Sequence, residues 1–143
     1  DRITVLETNL DNVPGETVGY CLERLLKHRA LDVYTTPILM KKNRPAVKVT
    51  VLCNREDAAV LETILFSETN TLGVRRWETE RTKLPREQSK VETQWGSISG
   101  KVVHLPDGQK HFSPEHDACR SVAEAEQIPL SRVVDVACRA FKT

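Results

Sequence analysis

The chain has 143 residues, 21 basic against 20 acidic, for a formal net charge of +1. That size suits one domain, or one domain with a small appendage, and buries enough surface to need no staple. The even charge balance argues against a general nucleic-acid or membrane-surface binder, and no apolar run approaches the ~20 residues a membrane helix needs.

Arg2 to Thr8 alternates well enough for a first strand, with Ile3, Val5 and Glu7 on one side. A turn follows, with Asp11 or Asn12 as helix cap and Pro14 in the first turn. Val18, Cys21, Leu22, Leu25 and Leu26 recur at helical spacing, and the helix should end near Arg29. Leu31 to Met40 is a second strand, in which Pro37 marks an edge or a bulge. Val47 to Cys53 is a third, with Val47, Val49, Val51 and Cys53 on one face. Asn54 caps a second helix with Glu56 and Asp57 in its first turn. Its buried stripe is Ala58, Leu61, Ile64 and Leu65, and Thr71 to Arg81 is a fourth strand. The order βαββαβ is the ferredoxin-like arrangement, an antiparallel sheet covered by two helices on one face. The fold class is therefore α+β, with residues 1–86 as this unit.

Residues 87–143 read as a β-hairpin plus a two-helix extension, packed on the first unit or on a neighbouring subunit. Lys83 to Ser89 is a connection. Val91 to Trp95 and Ile98 to Leu105 form a hairpin around Gly96. Pro106-Asp107-Gly108 is a turn before a short strand from Lys110 to Phe112. Ser113 caps a helix opened by Pro114 and Glu115 that runs to about Gln127. Pro129 opens a last helix burying Val133, Val134, Ala137 and Phe141. Cys21, Cys53, Cys119 and Cys138 form no C-x-x-C pair, and Cys21, Cys53 and Cys138 sit among apolar residues. That pattern fits free thiols in a reducing, cytoplasmic setting. Asp1 rather than Met opens the chain, which fits a piece of something longer.

Four constellations carry chemistry. The first is Met40-Lys41-Lys42-Asn43-Arg44-Pro45, a group of cations where a strand gives out beside a turn. Such a turn holds an anion such as phosphate, or simply keeps a sheet edge soluble. The second is Glu7, Asn9 and Asp11, which share a side of an extended chain. Oxygen ligands there suit Mg²⁺ or Mn²⁺. Equally, Asp11 caps the helix and Glu7 pairs with a cation on the next strand. The third is Thr71 to Trp77, where Arg75 and Arg76 follow a glycine that lets backbone approach closely. Trp77 is a base-stacking surface or a core contact. The fourth, His111, Glu115, His116, Asp117 and Cys119, fits no zinc spacing. Neither a phosphate loop of the G-x-x-x-x-G-K-[ST] kind nor G-x-G-x-x-G is present.

These pieces together resemble the pyridinium-3,5-bisthiocarboxylic acid mononucleotide nickel insertion protein family, over nearly the whole chain and in that family's C-terminal domain. They are Glu7-Thr8-Asn9-Leu10-Asp11, Gly19-Tyr20, Ala30 to Tyr34, Thr36-Pro37-Ile38, Met40 to Pro45, Thr50 to Cys53, Thr71 to Arg75, Leu84 to Glu87 and Pro114-Glu115. Three positions depart from the family pattern: Asn12 stands for Asp, Ala46 for Gly and Ser113 for Lys. The first weakens Asn12 as a metal ligand, and the last removes a possible phosphate contact.

The resemblance implies an enzyme that inserts nickel between two sulfurs and a ring carbon of a pyridinium mononucleotide for lactate racemase. It implies dependence on CTP and Mn²⁺ (or Mg²⁺), with CTP split to CMP and pyrophosphate, and a homo-oligomer, trimer or hexamer. This domain would bind the metal–CTP complex. The fragment would be inactive without its N-terminal domain. Glu7 and Asp11 are then the metal candidates. Lys41, Lys42, Asn43, Arg44, Arg75 and Arg76 are the nucleotide candidates. The alternative is a ferredoxin-like assembly or regulatory module whose basic turn binds polyanions without choosing among them.

Overall fold

The structure is a computed structural model and describes residues 1–141. It divides into two compact units, Asp1–Thr82 and a second beginning at Lys83. The division expected from the sequence fell between Arg86 and Glu87.

The first unit contains β1 (Arg2–Leu10), α1 (Gly15–Lys27), β2 (Asp32–Met40), β3 (Arg44–Cys53), α2 (Ala58–Glu68) and β4 (Arg75–Glu80). The strands lie in the order β2-β3-β1-β4, every neighbouring pair antiparallel. This is the ferredoxin-like topology that the element order predicts. Its core joins Leu6 and Leu10 of β1 and Val49, Val51 and Cys53 of β3 to Val18, Cys21 and Leu25 of α1 and Leu61, Ile64 and Leu65 of α2. Both helices thus cover one face of the sheet. Alternation puts Ile3, Val5, Glu7 and Asn9 on the other face. An ion pair between Arg24 of α1 and Glu68 of α2 ties the helices together.

Several local expectations change. β1 runs two residues past Thr8. Neither Asp11 nor Asn12 caps α1, whose N-cap is Pro14 with no side-chain bond. Fixed φ suits proline at that entry, so no polar cap is needed to start the helix. Asn54 likewise makes no cap bond to a helix backbone; a short helical turn, Arg55–Asp57, precedes α2. Strand β4 begins only at Arg75, because the residues before it form a loop closed by hydroxyls. Thr8 Oγ1 and Thr71 Oγ1 each lie 3.0 Å from the Gly73 carbonyl they donate to. Pro37 sits in β2, the edge strand, where its missing N–H costs no ladder bond.

The second unit contains β5 (Arg86–Thr93), β6 (Gly96–His104), β7 (Lys110–Pro114), α3 (His116–Glu126) and α4 (Leu130–Ala140). The three strands form an antiparallel meander. Val91, Ile98, Val102 and Phe112 pack against Cys119, Ala123, Val133 and Ala137. The expected connection is half strand. Arg86-Glu87-Gln88-Ser89-Lys90 has no apolar alternation, so only its pairing with β6 reveals it. Ser113 caps nothing. It stays in β7 with Pro114, and Glu115 takes the N-cap position. The Glu115 N–H donates to the Ser99 carbonyl, which holds the chain to the sheet one residue longer. Gly100 is required where it stands: a Cβ there would lie 2.5 Å from the Ser113 backbone carbonyl oxygen and would also meet the Phe112 ring. Val134 and Phe141 are half-buried rather than buried, and the Phe141 ring stacks on Phe112 at 6.0 Å. Among the described residues no helix is long and apolar enough to cross a membrane.

Candidate functional site

The topology gathers three of the four constellations at one end of the first sheet. β1 ends there, β3 and β4 begin there, and the β2–β3 hairpin turns there. Residues separated by up to about seventy positions therefore become neighbours.

One rung of the sheet runs through all four strands on the face away from the helices. Tyr34 pairs with Thr50, Thr50 with Glu7, and Glu7 with Arg75. Glu7 is the hub, with a side chain only 15% exposed. Its Oε1 lies 3.0 Å from Lys48 Nζ and accepts from Thr50 Oγ1 at 3.1 Å. Arg75 Nη2 is 3.6 Å from Glu7 Oε2 and donates to Asn9 Oδ1 at 2.8 Å. Burial pushes the Glu7 carboxyl up, but the hydrogen bonds from Lys48 and Thr50 and the charges of Lys48 and Arg75 outweigh it. The net result lies below the usual carboxylate value. Glu7 is thus satisfied as an anion by its own sheet.

Asp11 lies past the end of β1, where Arg44 Nη1 approaches its Oδ2 at 3.6 Å. It also lines an open cleft of about 500 Å³ between α1 and the foot of the hairpin. The rest of the lining is mostly apolar, with Leu10, Val13, Val18, Leu22, Pro45 and Val47, and Gly15 and Gly19 leave the helix side open.

The hairpin tip is Lys41–Asn43, an exposed turn between paired Met40 and Arg44. Lys42 and Asn43 both have positive φ, 61° and 55°. For a lysine the left-handed region costs ~1–2 kcal/mol over the right-handed one. Neither Lys41 nor Lys42 has an ion pair among the described residues, whereas Arg44, Lys48 and Arg75 all do.

The structure brings Lys41, Lys42, Asn43, Arg44 and Arg75 to the same end of the sheet as Glu7 and Asp11. It does not bring Arg76 there. Successive strand residues point to opposite faces, and Arg76 reaches Glu62 of α2 on the helix side at 3.7 Å. Trp77 lies on the same face as Arg75, opposite Val5, and is 43% exposed, neither core nor fully free. Sequence reasoning missed Lys48 and Thr50. Their signal was available: they are the out-of-phase residues of the Val47-Val49-Val51 strand and so face away from the helices. The fourth constellation does not assemble. His111 is exposed on β7, His116 opens α3 and Cys119 is buried. Among the described residues no group of three or more His, Cys, Asp or Glu side chains is placed to hold a metal.

A hard metal carried on phosphates needs only one or two protein carboxylates. Asp11 fits that part, because it is partly exposed and among the described residues pairs with one cation, Arg44. Glu7 fits poorly, because Lys48, Thr50 and Arg75 already occupy its oxygens.

A family model described as nickel insertion protein matches residues 1–134. The chain is 44% identical over 141 residues to the pyridinium-3,5-bisthiocarboxylic acid mononucleotide nickel insertion protein of Acetivibrio thermocellus, covering 99% of this chain and 34% of that one. It is 38% identical over 139 residues to the protein of the same name from Thermotoga petrophila, covering 97% and 35%. The chain thus spans about a third of the length of these curated relatives. Among solved structures it resembles the apo C-terminal domain of a cyclometallase involved in the synthesis of the NPN cofactor of lactate racemase. The TM-score is 0.91 at 38% identity, covering 98% of this chain and 96% of that one. A protein from Methanopyrus kandleri matches with a TM-score of 0.70 at 25% identity, covering 98% and 89%. The chain belongs to the nickel insertion protein family, in the part that corresponds to the cyclometallase C-terminal domain.

Proposed function

We propose that this chain is the CTP- and divalent-metal-binding domain of a CTP-dependent nickel insertase. The enzyme would place nickel, its cargo, into the pyridinium bisthiocarboxylate mononucleotide, splitting CTP to CMP and pyrophosphate. The observation that carries the reading is the gathering of Lys41, Lys42, Arg44, Lys48 and Arg75 against two carboxylates at one sheet end. A triphosphate is the ligand that needs several cations and tolerates a nearby acid when a divalent ion lies between.

The ammonium groups of Lys41 and Lys42 would hold the outer phosphates, because no carboxylate among the described residues pairs with them. Arg44 would divide its fork between Asp11 and a phosphate oxygen. Arg75, already oriented by Glu7 and Asn9, would present its remaining N–H groups as a fixed donor. Mn²⁺ or Mg²⁺, held by Asp11 and phosphate oxygens, would stabilise the charge that develops on departing pyrophosphate. The domain would act in a homo-oligomer, and nickel insertion itself would need the portion of the relatives that this chain does not span.

Isothermal titration of the chain with CTP and Mn²⁺ tests the reading. Lys41→Ala with Arg44→Ala should abolish binding while the oligomer and fold persist. Equal affinity for CTP and for polyphosphate, with no metal dependence, would overturn it in favour of a nonselective assembly module.

A further inference from the structure

Three consecutive residues of β1 grip the segment that carries Arg75, and they do so from both faces of the sheet. Glu7 and Asn9 hold the Arg75 guanidinium on the face away from the helices. Thr8, between them, points to the helix side with Leu6 and Leu10 and is 1% exposed. Its Oγ1 lies 3.0 Å from the Gly73 carbonyl and within hydrogen-bond distance of Thr71 Oγ1, which also reaches that carbonyl at 3.0 Å. Two hydroxyl protons thus close a triangle of three oxygens. The chain of bonds continues toward α2. The Thr71 N–H donates to Thr69 Oγ1 at 3.3 Å, and Thr69 Oγ1 donates to the Leu65 carbonyl in the last turn of α2 at 2.6 Å. The loop 69–73 is therefore pinned to α2 at one end and to β1 at the other.

The need for such a brace follows from the ladder. Pairing between β1 and β4 begins at Glu7 and Arg75, so Gly73 and Val74 lie before the first rung. Strand β4 is also an edge, with a neighbour on one side. The first residue of an edge strand is where local opening costs least. Val74 packs against the core, but Leu72 is fully exposed and Gly73 has no side chain to pack. The hydroxyl triangle supplies the anchor that ladder and packing do not. Another buried threonine on the same face of β1 gives the contrast: among the described residues Thr4 Oγ1 has no hydrogen-bond partner. Burial of a threonine on β1 does not by itself create a network. Position 8 has one because the loop 71–73 folds back onto it.

We propose that Thr8 and Thr71 are positioning residues that hold Arg75 in one orientation before any ligand arrives. Thr8 lies on the opposite face from the Arg75 guanidinium, so it acts through the loop and not by touching an anion. An arginine fixed in advance loses less rotamer freedom on binding, so the same contact yields higher affinity. The effect on affinity rests on the reading of Arg75 as a donor to the phosphates of CTP; the ordering of Arg75 does not.

The side-chain ¹⁵N order parameter of Arg75 Nε, together with titration of the chain with CTP and Mn²⁺, tests both parts. In the unaltered chain Arg75 Nε should be rigid. Thr8→Val and Thr71→Val should each drop it into the flexible range, below about 0.6, while Thr8→Ser keeps it rigid. Both valine variants should weaken CTP binding about fivefold, and Thr8→Ser should retain the affinity. In an Arg75→Ala background Thr8→Val should change affinity by less than about twofold, because the group it positions is gone. A merely structural threonine predicts equal losses in both backgrounds, in step with the thermal midpoint. Equal losses, or an Arg75 Nε whose order the valine substitutions leave unchanged, overturn the positioning role. Arg75→Ala that binds CTP as tightly as the unaltered chain overturns the phosphate reading instead, and the order parameter still decides the brace.

Discussion

Arg44 reaches Asp11: its Nη1 lies 3.6 Å from Oδ2, joining the foot of the β2–β3 hairpin to the bend after β1. The contact links the cationic turn to the carboxylate that best fits a phosphate-borne metal. Under the proposed function, a metal held at Asp11 would release part of the Arg44 fork toward the phosphates.

Asp11→Asn should therefore separate metal dependence from anion affinity. With the carboxylate gone, Mn²⁺ should no longer enhance CTP binding, so affinity in its presence falls about tenfold or more. Metal-free CTP should bind equally well or better, because a repelling charge is lost and Arg44 is freed. Stability should change by less than ~1 kcal/mol, as for an exposed ion pair. Titrations with and without Mn²⁺ check all three outcomes.

Glu7→Gln should destabilise the first unit at neutral pH by roughly 1–3 kcal/mol, the scale of lost hydrogen bonds to a charged group. The sign with pH follows from the lowered carboxyl. A group depressed on folding contributes stability that is fully present above its unfolded value near 4.5 and is lost as pH falls through the folded value. The gap between wild type and Glu7→Gln should accordingly close in acid. Urea midpoints at pH 7 and across the acid range below 4.5 measure it.

Lys42 sits at φ 61° in an exposed turn, where glycine would be at ease. Lys42→Gly should leave stability unchanged or raise it by up to ~1 kcal/mol, since relieved strain competes with the extra freedom of the unfolded chain. CTP affinity should drop severalfold nonetheless. Stability up and binding down, read by thermal melting and titration, would mark a side chain held at a backbone cost for its charge.

Cysteine labelling should be sharply uneven. Burial pushes the Cys21 and Cys53 thiols up to about 11, and Cys119 is also raised and buried. Cys138 is exposed. A maleimide at neutral pH should add one label to the native chain and four after denaturation, with mass spectrometry placing the first on Cys138. The sequence pattern had grouped Cys138 with the buried thiols. The face α4 turns to the sheet is instead set by Val133 and Ala137, and Cys138, one position past Ala137, lies at its exposed edge with Sγ donating to the Phe112 carbonyl at 3.6 Å.

Element order, helix faces and the ferredoxin-like arrangement were legible from apolar spacing, because Val18-Cys21-Leu25 and Val47-Val49-Val51 each have one burial solution. The polar strand segment 86–90 was not, since a strand with one solvated face and few apolar residues carries its signal in its partner. The chain by itself determined which residues are candidates for holding an anion and a hard metal: cations at a proline-stopped turn, carboxylates at a strand end, arginines after a glycine. Only the tertiary structure decided which of them meet. Adjacent Arg75 and Arg76 part to opposite faces through the two-residue period of β4. Glu7 is claimed by Lys48, Thr50 and Arg75 through register across β3 and β4, while Asp11, just past the last paired residue of β1, stays open at the cleft. Register is a long-range property, set by how two buried faces match, and no local spacing contains it.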